Sequence, residues 1–140
     1  MSARSKARKQ TLDILYETDI RGTNPLDVLA SREITDEGAD ARPIREYTRD
    51  LIVGVSEHRR KIDELIATYA QGWDMDRLPA VDRNIMRLAL YELLWRDELA
   101  DAIAIDEALL LAKELSTDES AGYIHGVLGR IVSIKDGLAL

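Results

Sequence analysis

A chain of 140 residues with 46% hydrophobic and 32% charged residues has the size and make-up of one compact folded domain, not of a disordered segment. It has no cysteine, which excludes disulfides, thiolate zinc sites and a cysteine nucleophile, and it has no apolar run of about 18 residues that would span a bilayer. The formal charge of −7 is uneven: MSARSKARKQ carries Arg4, Lys6, Arg8 and Lys9 with no acid, and the other 130 residues hold 15 bases against 26 acids. No apolar stretch follows that basic start, so no secretory signal is expected and the chain reads as soluble and cytoplasmic.

Helical spacing recurs from end to end, without alternating strand patterns or Asn-Gly or Asp-Gly hairpin turns. In the first predicted helix Ala7, Thr11, Ile14, Leu15 and Thr18 share a face, and Gly22 is the expected stop. Asn24-Pro25 reads as a cap and first helical residue. The polar EITDEGADARP is the longest expected loop. Pro43 is expected to open a helix bearing Ile44, Tyr47, Leu51 and Val55, which gives way near His58 to another bearing Ile62, Leu65, Ile66 and Tyr69 before Gly72. After Pro79, VDRNIMRLALYELLW (81–95) is apolar around most of its circumference, as a helix at the centre of a bundle must be. AIAIDEALLLAKEL and, after the Ser116-Thr117 cap, YIHGVLGRIVSI supply two more helices. Gly126 and Gly129 lie inside the last one, where each costs up to about 1 kcal/mol relative to alanine, so close contact with a neighbouring helix is expected there. The sum is an all-α fold of about seven helices in a single domain over 1–140.

Enzyme chemistry is not expected. His58 and His125 have neither cysteine partners nor zinc-type spacing, no glycine-rich phosphate loop is present, and adjacent acids such as Asp106-Glu107 diverge by about 100° on a helix. Catalytic residues, metals and cofactors are therefore assigned as none. The basic start can present cations and backbone N–H groups to phosphate, or be a frayed, solvated terminus. His58-Arg59-Arg60-Lys61 reads as a solvated face, and Tyr16 and Tyr123 as base-stacking or core residues.

Five blocks in order, ARKQTLDILYETD, LIVGV, IDELIATY, LPAVDRNIMRLALYELL and AIDEALLLAKELSTDESAGYIHGVLGRI, resemble the NusB family of bacterial transcription antitermination factors. The same fold forms the N-terminal domain of certain ribosomal RNA methyltransferases, but 140 residues leave no room for a methyl-transfer domain, so a free-standing factor is expected. The resemblance implies two three-helix subdomains plus a seventh helix, and an adaptor without catalysis. It implies that the protein pairs with NusE, a small-subunit ribosomal protein, binds single-stranded boxA RNA of nascent ribosomal transcripts, and joins an antitermination complex on RNA polymerase. It assigns Arg4, Lys6, Arg8, Lys9, Tyr123 and Glu119 to RNA, and Tyr16 and Asp82 to the ribosomal partner. About four phosphate contacts to a single strand would give log K a salt slope of roughly −3. The short basic run implies low RNA affinity without the partner.

Where the family has two asparagines this chain has Asp106 and His125, which suggests a structural Asp–His hydrogen bond between helices. The alternative to the adaptor is a homodimeric protein-interaction module that uses an apolar surface around Leu12 and Tyr16.

Overall fold

A computed structural model describes residues 2–34, 43–72 and 74–140, with the side chains of residues 33, 34 and 76 outside the description. Of the expected loop EITDEGADARP, Glu33 and Ile34 are helical instead, and residues 35–42 lie outside the described residues. Six α-helices and two short 3-10 turns form the described fold, and no strand occurs among the described residues.

Helix α1 (Ala3–Arg21) starts where the Ser2 hydroxyl accepts from the Ser5 N–H at 3.0 Å. It ends at Gly22, whose φ of +68° suits glycine alone among ordinary residues. Paired bonds close the end: Gly22 N–H donates to Asp19 and Thr23 N–H to Thr18. Helix α2 (Pro25–Ile34) begins as the Asn-Pro pair predicts, with Asn24 Oδ1 accepting from the Leu26 N–H at 2.9 Å.

Helix α3 (Glu46–Tyr69) corrects two expectations, because it starts three residues after Pro43 and runs through His58 without interruption. Arg45 is extended and starts the helix late. Leu51, Ile52, Val55, Ile62, Leu65 and Ile66 then keep one buried stripe across four turns, and no glycine or proline after Val55 breaks it. One long helix therefore replaces two, which accounts for six α-helices where about seven were expected.

A 3-10 turn (Met75–Arg77) leads to α4 (Ala80–Trp95), buried from Asn84 to Leu94 as its composition requires. Helix α5 (Asp101–Leu115) follows, then α6 (Asp118–Ile134), whose Thr117 cap accepts from the Ser120 N–H at 2.9 Å, and a closing 3-10 turn (Lys135–Gly137). Helix α4 lies against α1, α3, α5 and α6, α3 packs on α1, α2, α4 and α6, and so the two expected three-helix halves share one continuous core.

Glycine packing differs from expectation. A Cβ on Gly126 or Gly129 would meet nothing within 4 Å, whereas a Cβ on Gly54 would run into the Tyr91 ring. The close helix approach is α3 on α4 at Gly54, not an approach to the last helix.

Candidate nucleic-acid interface

The four cations at the start of α1 do not form one patch, because helical geometry separates them. Arg4 and Arg8 stand one turn apart on the side that faces the protein, and Lys6 and Lys9 stand on the outer side. Arg8 is only 3% exposed. Its Nε bonds both Glu92 oxygens at 2.9 and 3.0 Å, and its Nη1 lies 3.6 Å from Glu107. Burial works against this cation, but the Glu92 hydrogen bond and charge more than offset it, so the guanidinium titrates above its ordinary range. Arg8 is thus a buried structural ion and not an exposed RNA contact, contrary to the expectation from the basic run.

Tyr47 on α3 completes this centre by donating its hydroxyl to Glu92 at 2.5 Å. Burial, then the Glu92 carboxylate, raises the phenol's pKa, so it remains a donor. The Arg4 guanidinium lies over the Tyr47 ring, 4.4 Å from its centroid. Arg4 and Lys6 are exposed, and the Arg4 charge is one of those that help hold the Glu98 carboxyl below its ordinary value. Lys9 pairs with Glu114 at 2.6 Å, which raises its pKa and ties α1 to the end of α5. The Ser5 hydroxyl makes a second tie by donating to Glu107 at 2.7 Å.

The outer face of α1 continues from Lys6 and Lys9 to Tyr16 and Ile20, which are 41% and 61% exposed. Leu12 lies off this face and is buried, so it cannot contribute to the apolar surface expected around Tyr16. Beyond Tyr16, Asp19 accepts from Arg83, Asn84 and Arg87 at 2.9–3.0 Å and fastens α1 to the start of α4. Burial raises the Asp19 pKa, but the Asn84 and Arg83 hydrogen bonds and the nearby cations outweigh it and hold the carboxyl below its ordinary value.

The starts of α4 and α6 meet in a second cluster. Asp82, expected on the partner-facing surface, is instead 3% exposed and accepts from the Ser120 hydroxyl at 2.8 Å. It sits in the first turn of α4, where the helix dipole favours an acid. Its other oxygen and the Tyr123 hydroxyl are both buried without a hydrogen-bond partner. Burial and the Asp82 charge together raise the Tyr123 pKa. The Tyr123 ring is partly exposed and Glu119 is fully on the surface one helical turn away. Asp106 and His125 are both exposed and no hydrogen bond joins them, which overturns the suggested interhelical pair.

Sequence reading missed Tyr47 and Glu92, the two residues that hold Arg8. Arg8 itself carried a signal: it stands three and seven residues before the core positions Thr11 and Leu15. Among the described residues no group of three His, Cys, Asp or Glu side chains is placed to hold a metal, and no helix is long and apolar enough to cross a membrane.

The NusB family pattern matches residues 5–133. The transcription antitermination protein NusB of Saccharopolyspora erythraea is 50% identical over 99% of this chain and 92% of its own length. That of a Nocardioides species is 48% identical over 99% of this chain and its full length. Among solved structures, T. maritima NusB superposes with a TM-score of 0.79 at 33% identity, covering 98% of this chain and 99% of its own. A crystal structure of antitermination factors NusB and NusE with double-stranded RNA gives a TM-score of 0.77 at 25% identity, covering 93% of this chain and 96% of that one.

Proposed function

Because the chain belongs to the NusB family, whose members here are antitermination proteins and not enzymes, we propose that it is an RNA-binding adaptor acting as a single unit in the cytoplasm. It binds the boxA element of nascent ribosomal RNA with a NusE-type ribosomal protein and takes its place in an antitermination complex on RNA polymerase. The observation that carries this reading is a cationic start on α1 in an otherwise acidic chain, with Arg4 and Lys6 exposed and Lys9 half-buried beside Glu114. These three hold the RNA phosphates, Tyr123 offers a ring for a base, and Glu119 accepts from a base donor because a carboxylate repels phosphate. The likeness to a NusB solved with NusE and RNA supports the same two partners here.

The ribosomal protein seats on the outer face of α1 at Tyr16 and Ile20. Asp82 acts beneath that surface by holding the start of α6 through Ser120. The same exposed face would serve a second copy of the chain, so homodimer formation and partner binding compete for it.

The test is titration of a labelled boxA RNA and a scrambled control, with and without the ribosomal protein. Preference for boxA, enhanced by the partner and weakened by the Arg4, Lys6 and Lys9 to alanine triple variant, supports the reading. No RNA binding in any combination, with a mass that doubles on concentration, would leave the homodimeric interaction module as the better account.

A further inference from the structure

Beside the start of α1 the surface opens into a pocket of about 530 Å³ whose lining includes Arg4, Arg45, Tyr47 and Arg96, with Glu46 and Asp50 also contributing. Its three cations come from three elements: the first turn of α1, the residue before α3 and the residue after α4. Tyr47 organises them, for the Arg4 and Arg96 guanidiniums lie 4.4 and 5.2 Å from its ring centroid while its hydroxyl is pinned by Glu92. Gln10 fixes the backbone at Arg45, its side chain donating to Pro43 O and accepting from the Arg45 N–H, each at 3.0 Å.

Glu98 stands near enough to Arg96 and Arg4 for both to help hold its pKa down, and Glu46 and Asp50 line the pocket beside Arg45. Arg96 forms an ion pair with Glu98 at 2.8 Å, although its Nε makes no aligned hydrogen bond. The start of α3 also lacks a side-chain cap, and its first residues Glu46 and Tyr47 line the same pocket.

We infer that this pocket holds one phosphate of the bound single-stranded RNA, gripped by Arg4, Arg45 and Arg96, with Tyr47 as the platform that positions the guanidiniums. The inference rests on the RNA-binding reading above and adds Arg45, Arg96 and Tyr47 to it. Guanidinium forks match phosphate geometry, and a pocket of this size admits a nucleotide as well as its phosphate. Glu46 and Asp50 would repel a second phosphate, which limits the pocket to one. Since Arg4 lies on the other side of α1 from Lys6 and Lys9, the strand must wrap over the start of the helix to reach both.

The experiment uses the full chain with its ribosomal partner and a set of boxA RNAs, each with one phosphate replaced by a neutral methylphosphonate. Wild type is compared with Arg45→Ala and with the Arg45→Ala, Arg96→Gln double variant, after thermal melting establishes that each is folded. In wild type, neutralising one particular phosphate should weaken binding roughly tenfold. In the double variant binding to unmodified RNA should fall by at least as much, with that phosphate no longer sensitive and the others unchanged. Arg45 is exposed, so the single variant carries the test if the double variant does not fold. Tyr47→Leu, which removes the ring under the guanidiniums, should lose the affinity.

Variants that bind RNA as wild type does, or that weaken while every phosphate keeps its effect, overturn the pocket and leave the RNA-binding reading intact. Loss of affinity for the ribosomal protein in the absence of RNA would assign the pocket to an acidic protein segment instead. A wild type that binds no RNA removes both readings.

Discussion

Lys6 and Arg8 are two residues apart and serve opposite ends: one is held out in water, the other is a buried ion against Glu92. Removing one partner of such a pair leaves an uncompensated charge, so Arg8→Ala should lower unfolding free energy by about 3–5 kcal/mol in urea denaturation. Replacing both ions, Arg8→Met with Glu92→Leu, should recover part of that loss and leave the salt slope of RNA binding unchanged, since Arg8 meets no phosphate. Asp19 gives the pH dependence. Its folded pKa is depressed, so its contribution is complete above the ordinary value of 3.8 and disappears as pH falls through the lower native value. Stability measured between pH 6 and 2 should therefore fall at the acid end, and Asp19→Asn should be less stable at pH 6 with a flatter acid limb.

At the scale of elements, glycine positions divide by what surrounds them. Gly54→Ala should destabilise by about 1–3 kcal/mol, because the added methyl displaces the Tyr91 ring in a packed α3–α4 contact. Gly126→Ala should stabilise by up to about 1 kcal/mol, since the helix gains propensity and the methyl meets no neighbour. Thermal unfolding of the two variants reads opposite signs. The helix type of every segment was legible from apolar spacing, α2 and α6 begin at the caps their sequences announce, and α1 ends at the expected Gly22. The continuity of α3 was not legible, because the polar His58-Arg59-Arg60-Lys61 resembles a junction. In three dimensions His58 stacks on Trp95 with centroids 4.0 Å apart, and Arg59 bonds to Asp63. One stack on α4 and one pair a helical turn apart within α3 carry the helix through this polar run.

Across the whole molecule, charge is arranged by which way helices turn their faces. A tally of the first ten residues gives four cations, but α1 sends Arg8 inward, Arg4 toward Tyr47, and only Lys6 and Lys9 along its outer face. The functional class was legible from five ordered blocks, and the exposed positions Tyr16 and Glu119 lie on the surface as a binding role requires. The separate fates of Arg8 and Asp82 depend on Glu92 and Ser120, which are 84 and 38 residues away in the chain, beyond the reach of local pattern. With Arg8 withdrawn, Arg4, Lys6 and the half-buried Lys9 remain to neutralise phosphates, and the expected salt slope shrinks from roughly −3 to roughly −2.

The most direct measurement is the salt dependence of boxA RNA binding by the chain with its ribosomal partner, for wild type, Lys6→Ala with Lys9→Ala, and Arg8→Met with Glu92→Leu. The account predicts a wild-type slope of log K against log salt of roughly −2, flattened by about 1.4 in the lysine variant and unmoved in the buried-pair variant. A slope that the lysine substitutions leave unchanged, or one that vanishes with Arg8, would contradict it.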